Sequence, residues 1–285
     1  MTVFHNGTFV QENDFSLSPF SRALHYGDGV FETIRSYNRS VFRFDRHMQR
    51  FFNGLKTLKI VTKLKQQDIY DAVRGLIRKN RLYDASIKIL GFRHGADGPT
   101  PPSGAHADIL ILARPFDSTK KMLYERGIRA CFASSRRNVH SVVTSIKSLN
   151  YLENILGRIE AREKGVDEAL FLNTSGQIAE GATSNLFIVK NKKIVTPPLH
   201  AGILDGITRD VVIQLAKDKN IHCKEKDLFH DDLMRAEEAF LTNSLMEIMP
   251  LVLVDDRVIG DGKPGPVTLQ MMTHYKESVQ EALRD

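Results

Sequence analysis

The sequence predicts an α+β chain of two domains with a cleft between them. Three features carry that expectation. Short runs of strand-like alternation are interleaved with helix-like periodicity along the whole length. Around Pro115 to Lys121 (PFDSTKK) the apolar pattern lapses, so residues 1–115 and 122–285 read as separate domains joined by a 116–121 linker. The stretch SIKSLNYLENILGRIEAREKGVDEALFLNTSGQIAEG, Ser145 to Gly181, combines a striped helix with two strands. It sets Lys147 just ahead of the helix and Glu180 just after a strand, so that both could face one cleft.

With 285 residues, 42% of them hydrophobic and 26% charged, the chain can bury a real core and lacks the composition of a disordered protein. Forty Lys and Arg against 34 Asp and Glu give a formal charge of +6. The charges are interspersed, as in Arg158-Ile159-Glu160-Ala161-Arg162-Glu163-Lys164, which describes a solvated surface and gives little support to a nucleic-acid partner. Cys131 and Cys223 lack metal-ligand spacing and read as buried, reduced thiols. The opening MTVFHNGTFV has no basic or apolar region of a signal peptide, and no apolar run approaches the ~18 residues of a membrane span. A cytoplasmic protein without a membrane partner is expected, and the sequons at Asn6, Asn38 and Asn173 carry no meaning there.

The elements follow in order. Asn6-Gly7 is a hairpin signal between Val3-Phe4 and Thr8 to Val10. Gly27-Asp28-Gly29 turns the chain into a strand, Val30 to Ser36, which hairpins through Asn38. Asp45 to Leu58 reads as a helix with an Asp cap, and Asp68 to Lys79 as one with Ile69, Ala72, Val73 and Ile77 on a single face. Ala85 to Phe92 and Ile109 to Ala113 read as strands, separated by the Gly/Pro-dense Arg93 to Gly104, either a mobile connection or an active-site rim. In the second half, Leu152, Ile155, Leu156 and Ile159 fall at i, i+3, i+4 and i+7, an apolar stripe of a helix that ends at Lys164-Gly165. Strands follow at Glu168 to Leu172, Gln177 to Ala179, Asn185 to Val189, Ile194 to Thr196 and Ala239 to Thr242, with helices at Gly206 to Lys217 and Val267 to Leu283.

Lys147 interrupts an apolar run ahead of the striped helix, a setting that desolvates an amine and makes a nucleophile of it; most lone lysines are surface charges. Glu180 could pair with a protonated ring nitrogen or sit in solvent at a strand end. Gly206-Ile207-Thr208-Arg209 opens a helix whose free N–H groups form an anion site, with Asp205 as a plain N-cap the alternative. Arg50 could add a charge-assisted bond to a phosphate or be a solvated helix arginine. Arg137 is either a partner of Glu180 or a surface charge. Gly260, Gly262 and Gly265 match GxGxxG, but Pro264 lies inside and no βαβ unit follows, so they mark a turn. The histidines lack metal spacing and no Walker sequence is present, so neither a metal nor a nucleotide is expected.

Together these residues resemble the class IV aminotransferases, the fold-type IV enzymes that use pyridoxal 5′-phosphate (PLP). The signature runs from Glu180 through Asn185-Leu186-Phe187 and Ile194-Val195-Thr196 to Leu204-Asp205-Gly206-Ile207-Thr208-Arg209, and the likeness extends from HYGDGVFETIR at His25 to TNSLMEIMP at Thr242. The resemblance implies a two-domain fold-type IV enzyme with its active site between the domains. Lys147 would hold the cofactor aldehyde and later carry the α-proton, and Glu180 would pair with the pyridine nitrogen. Arg50, the backbone of Ile207 and Thr208, and Ser244 would hold the phosphate; Leu204 would pack on the ring and Tyr151 would reach the phenolic oxygen. Tyr26, Phe31, Arg35, Lys88, Arg93 and Leu245 would contact substrate. It also implies a homodimer in which the Arg93 to Gly104 loop closes the partner subunit's site.

Ser21 to Gly27 and Gly265-Pro266-Val267-Thr268 look like branched-chain aminotransferases, so the expected substrates are a branched-chain or other apolar L-amino acid and a 2-oxo acid. Thr33, Lys88 and Thr242-Asn243-Ser244 look more like aminodeoxychorismate lyases, which eliminate pyruvate to leave 4-aminobenzoate. IKSLN resembles D-amino acid aminotransferases, although Arg93-His94-Gly95 is the nearest match to their Arg-x-His clamp. A basic, non-catalytic binding protein is the remaining alternative, with the +6 charge as its support.

Overall fold

The computed structural model describes residues 1–95, 98–117 and 121–284; residues 96–97 of the Arg93 to Gly104 loop and 118–120 of the expected linker lie outside them. The chain divides into two compact units, Met1–Asp117 with Ile146–Asn150, and Ser118–Ser145 with Tyr151–Asp285.

The first unit comprises β1 (Thr2–His5), β2 (Thr8–Gln11), α1 (Arg22–Tyr26), β3 (Gly29–Tyr37), β4 (Ser40–Val41), α2 (Phe44–Thr57), α3 (Gln66–Lys79), β5 (Ala85–Arg93) and β6 (Ala107–Pro115). Its six strands form a sheet in the order β2-β1-β6-β5-β3-β4. The period-2 alternation sends Val30, Glu32 and Ile34 of β3 to one face and Phe31, Thr33 and Arg35 to the other. Val30 and Ile34 join Met48, Phe51 and Leu55 of α2 and Ile69, Val73 and Leu76 of α3 in one apolar core. Helix α3 buries the face that its spacing predicts, with Ile69, Ala72, Val73 and Ile77 all inward. The α2 cap differs: Arg43, with φ 52°, holds the N-cap position and Asp45 lies within the first turn.

The second unit comprises α4 (Lys121–Arg126), β7 (Ile128–Arg137), α5 (Val142–Ser145), α6 (Leu152–Glu163), β8 (Glu168–Asn173), β9 (Ile178–Gly181), β10 (Asn185–Lys190), β11 (Lys193–Thr196), α7 (Ile207–Asp218), β12 (Cys223–Glu225), α8 (His230–Met234), β13 (Glu238–Asn243), β14 (Glu247–Val254), β15 (Arg257–Val258) and α9 (Pro266–Ala282). The sheet order is β12-β11-β10-β13-β14-β7-β8-β9, with β15 paired to β14. Near-continuous apolar strands such as β10 (NLFIVK) are covered on both faces, so Leu186, Phe187 and Ile188 are all buried. The turn read at Gly260 to Gly265 leads into α9, whose first amides are capped by the buried Glu238: Val267 and Thr268 N–H donate to its oxygens at 3.0 and 2.7 Å.

Three expectations are corrected here. Glu180 lies within strand β9 rather than after one. Cys223 is only half-buried, although both cysteines are free. The α6 stripe faces outward: Leu152, Ile155, Leu156 and Ile159 are 74, 47, 52 and 45% exposed, while Asn154, Gly157 and Ala161 face the sheet. The physical reason is close approach. A Cβ on Gly157 would stand 2.8 Å from Phe171 Cζ and 3.4 Å from Ala169 Cβ, so only the small-residue face lets α6 lie on β8.

Gly157→Val is therefore expected to lower stability by roughly 1–3 kcal/mol through overpacking against Phe171. A chemical-denaturation midpoint reads this directly; an unchanged midpoint would mean that α6 can lift from β8 without cost.

Candidate active site

In the first unit, residues Ile146–Asn150 run along the start of β3. Phe31 N–H donates to the Lys147 carbonyl at 2.9 Å, Leu149 N–H donates to the Gly29 carbonyl at 2.9 Å, and Val30 forms an antiparallel bridge with Ser148. This pairing fixes the Lys147 backbone against Phe31. Its Nζ stands 4.5 Å from the Phe31 ring centroid, and Lys88 Nζ, from β5, stands 4.8 Å from the same centroid. Phe31 is buried, Lys147 half-buried and Lys88 exposed, so two lysine side chains meet one buried aromatic ring.

On the opposite face of β3, Glu32 is fully buried and takes three bonds from α2. His47 Nδ1 lies 2.7 Å from Oε2, Arg50 Nε donates to Oε1 at 2.7 Å, and Arg50 Nη2 donates to Oε2 at 2.8 Å. His47 and Arg50 are three residues apart on α2 and so share a face. Burial alone pushes the Glu32 carboxyl up, but the Arg50 charge and hydrogen bonds, with His47, hold it down at about 2. Burial pushes His47 below its ordinary value against the pull of Glu32, with the Arg50 and Lys147 cations adding to the depression. An ionised carboxylate only accepts, so the neutral imidazole carries its proton on Nδ1.

Other predicted substrate residues of this unit lie in different clusters. Arg93 is buried and donates to Asp28 Oδ2 at 2.8 Å and to the Leu58 carbonyl at 2.6 Å; Arg22 donates to the same Asp28 oxygen at 2.8 Å. Burial pushes Asp28 up, yet the two arginines hold it below its usual value. Arg35 stacks on Tyr37 and Phe116, at 4.3 and 3.7 Å from the ring centroids. It stands four residues, roughly 13 Å, along β3 from Phe31. Tyr26 is exposed at the end of α1, under the Arg22 guanidinium at 4.9 Å.

In the second unit, Glu180 is held from three directions. The Leu204 N–H donates to Oε2 at 3.0 Å, Asn185 Nδ2 approaches the same oxygen at 3.3 Å, and Arg137 Nη2 lies 3.5 Å from Oε1. Asn185 Nδ2 also donates to the Leu204 carbonyl at 2.9 Å, tying the two ends of the mount together. Arg137 is buried over the Phe171 ring and donates to Glu153 at 2.9 Å. Tyr151 precedes α6; its hydroxyl donates to the Ala182 carbonyl at 3.3 Å. Burial first, then the Glu180 and Glu168 charges, push its phenol up to about 12, so it stays protonated and can donate.

Helix α7 has Gly206 rather than Asp205 at its N-cap, with no hydrogen bond from a cap side chain. Its first intrahelical bond runs from Asp210 N–H to the Gly206 carbonyl, leaving the earlier amides of Ile207 and Thr208 as terminal donors. A Cβ at Gly206 would collide with Asn185 Oδ1, so the cap can lie this close to the Glu180 mount only without a side chain. Ser244 and Leu245 occupy the β13–β14 turn. Asn243 orders that turn, accepting from Leu245 and Met246 N–H at 3.0 and 2.7 Å and donating to the Thr183 carbonyl at 2.9 Å.

PLP requires an amine for its aldehyde, an ionised acceptor for its ring N–H, a donor for its phenolate and N–H groups for its phosphate. Lys147, Glu180, Tyr151 and the α7 terminus have these chemistries, so the residues present fit the group. Four participants have no settled role in the sequence reading: Asn185 lies within the signature without one, Arg137 has two open readings, and Glu32 with His47 is not read as a pair. The His-x-x-Arg spacing in FDRHMQR was the available signal for the last pair.

The family model for amino-transferase class IV matches residues 29–254. The branched-chain-amino-acid aminotransferase of Escherichia coli (strain K12) is 37% identical over 281 residues, 96% of this chain and 91% of that one. The D-alanine aminotransferase of Staphylococcus haemolyticus is 30% identical, covering 98% of each chain. Among solved structures, the PLP form of the Thermobaculum terrenum branched-chain amino acid aminotransferase superposes with a TM-score of 0.89 at 29% identity, covering 98% of this chain and 93% of that one. The chain belongs to the class IV aminotransferases. It has the fold-type IV architecture, and PLP is the cofactor of this enzyme class.

The two shifted groups on α2 and β3 set a pH dependence. His47 titrates below its ordinary 6.5 when folded, so the unfolded chain binds its proton first and stability falls as pH drops below 6.5. Glu32, at about 2 when folded against 4.5, contributes fully above 4.5 and loses that contribution as pH falls toward 2. Denaturation midpoints should therefore decline between about pH 7 and 5, and His47→Asn should flatten that decline. An equal decline in the variant would rule out His47 as its source.

Proposed function

We propose that this enzyme transfers the amino group of branched-chain or other apolar L-amino acids to 2-oxoglutarate, leaving the matching 2-oxo acid and glutamate. The observation that carries this reading is the mount of Glu180: a carboxylate set beside the Arg137 guanidinium and oriented by Leu204 N–H and Asn185, as a ring N–H partner must be. The name of the relative at 37% identity supplies the substrate class. When bound, PLP supplies the electron sink that lets the α-proton leave.

The residues around it divide the remaining work. Lys147 would hold the cofactor aldehyde through its amine and would carry the α-proton. Glu180 holds the ring nitrogen protonated, and Tyr151 donates to the phenolic oxygen. Arg50, the amides of Ile207 and Thr208, and Ser244 hold the phosphate, while Leu204 supports the ring. Phe31 and Leu245 give the substrate side chain an apolar surface, and Lys88 and Tyr26 stand at its rim. Arg35 and Arg93 receive no substrate role, because aromatic stacking holds the first and Asp28 with the Leu58 carbonyl holds the second.

Glutamate formation from 2-oxoglutarate with L-leucine, L-valine, L-isoleucine and D-alanine tests this reading. The L-amino acids should be preferred, and Lys147→Ala should lose roughly 10²–10⁴-fold or more of the rate along with the cofactor's near-ultraviolet and visible absorption band. Preference for D-alanine would replace the substrate assignment. Pyruvate release from 4-amino-4-deoxychorismate without transfer would replace it with the lyase reading, which the exposed Lys88 ammonium beside Phe31 favours.

A homodimer is part of the same proposal. The outward stripe of α6 supports it, because four neighbouring large apolar side chains on one helix face are a surface that another protein surface covers. Light scattering should give twice the 32.2 kDa chain mass for the wild type and the chain mass for Leu152→Glu/Leu156→Glu. A monomeric wild type would sink this reading. Cytoplasmic residence also belongs to it, supported by the free thiols of Cys131 and Cys223.

A further inference from the structure

We propose that Glu32 is a positioning residue for the phosphate-binding cation: its buried carboxylate, clamped by His47, fixes the Arg50 guanidinium and so sets how strongly the enzyme prefers a phosphorylated cofactor. The inference rests on the reading of Arg50 as a phosphate ligand and deepens it.

The geometry leaves Glu32 little else to do. It has no exposure to solvent, lies within a nine-residue strand, and is paired in register with Ile89 of β5, so its Cα cannot drift. Arg50 meets it through both Nε and Nη2, at 2.7 and 2.8 Å. Two parallel N–H···O bonds to one carboxylate fix the plane of a guanidinium as well as its location, which a single bond cannot do. His47 Nδ1, at 2.7 Å from Oε2, stops the carboxylate rotating about its own axis. With a neutral imidazole, the cluster holds one negative and one positive charge. A buried ion pair is a weak stabiliser of a fold, so the main consequence of this one is where it places the cation.

The test is the ratio of affinities of the full-length apoenzyme for PLP and for pyridoxal, which lacks the phosphate. Titrations follow the cofactor absorption band for the wild type, Glu32→Gln, Arg50→Met and the double variant. A residue needed only for folding weakens both ligands alike and leaves the ratio unchanged. The inference expects Glu32→Gln to lower the ratio about tenfold, and to lower it no further once Arg50 is methionine. If Arg50→Met lowers the ratio and Glu32→Gln does not, the positioning role is wrong and the Arg50 reading stands. If Arg50→Met leaves the ratio unchanged, the Arg50 reading falls and this inference with it. Should Glu32→Gln not accumulate as folded protein, Glu32→Asp takes its place; it keeps the charge but is one methylene too short to hold both guanidinium nitrogens, and carries the same expectations.

Discussion

The short backbone pairing of Ile146–Asn150 with β3 is the constraint on which the first unit's chemistry depends. Two main-chain bonds, which together form the Val30–Ser148 bridge and involve no side chain, put Lys147 beside Phe31. Backbone pairing of this kind sets register, and a shift of one residue turns the neighbouring side chain to the other face. A lysine on a free loop sweeps a wide volume and loses side-chain entropy when it binds. A lysine whose backbone is registered against a strand has already lost much of that freedom. The same strand then places Glu32 on its opposite face, so a single register determines both the amine and the buried carboxylate.

Three carboxylates, the buried Glu32 and Glu180 and the half-buried Asp28, follow one rule. Glu32, Asp28 and Glu180 each face at least one arginine, and for the first two the arginines outweigh the burial that would otherwise protonate them. The arrangements differ in what surrounds each pair. Arg93 and Arg22 end on the carbonyls of Leu58 and Gly98, so their cluster ties segments of the first unit together. Arg50 and Arg137 instead accompany residues whose chemistry suits a ligand. A bidentate pair at 2.7 and 2.8 Å fixes a cation; a contact at 3.5 Å supplies charge while leaving orientation to the Leu204 amide and Asn185.

Much of this was legible in the sequence. Periodicity located α2, α3, α6 and α7 and most strands, and the family signature from Glu180 to Arg209 picked out Glu180 itself and the α7 terminus, the latter also readable from local cap chemistry. What was not legible depended on packing. The α6 stripe has the spacing of a core-facing helix, but the volume of Phe171 admits only Gly157 and Ala161 beneath it, and no spacing encodes that. Arg93-His94-Gly95 is the nearest match to an Arg-x-His substrate clamp, and Arg93 is read as opening a loop; in the fold it ends β5 and is buried against Asp28, a residue 65 positions earlier. Arg137 and Glu180 are 43 residues apart, and only the sheet brings β7 and β9 onto the same strand, β8.

The α6 case also explains how the groups around the Glu180 mount are brought together. Because the small face of α6 lies on β8, Asn154 can donate to the Ala182 carbonyl at 2.6 Å while Glu153 receives Arg137. Tyr151 donates to that same carbonyl from just ahead of the helix. A bulky inner face would lift α6 and withdraw all three groups together. The helix therefore gives up its large side chains to its outer surface, and what it gains underneath is a short distance between a phenol, a guanidinium and a carboxylate. The Glu180 charge in turn helps keep the Tyr151 phenol protonated, so the acceptor for a ring nitrogen and the donor for a phenolic oxygen reinforce each other through one compact helix–strand contact.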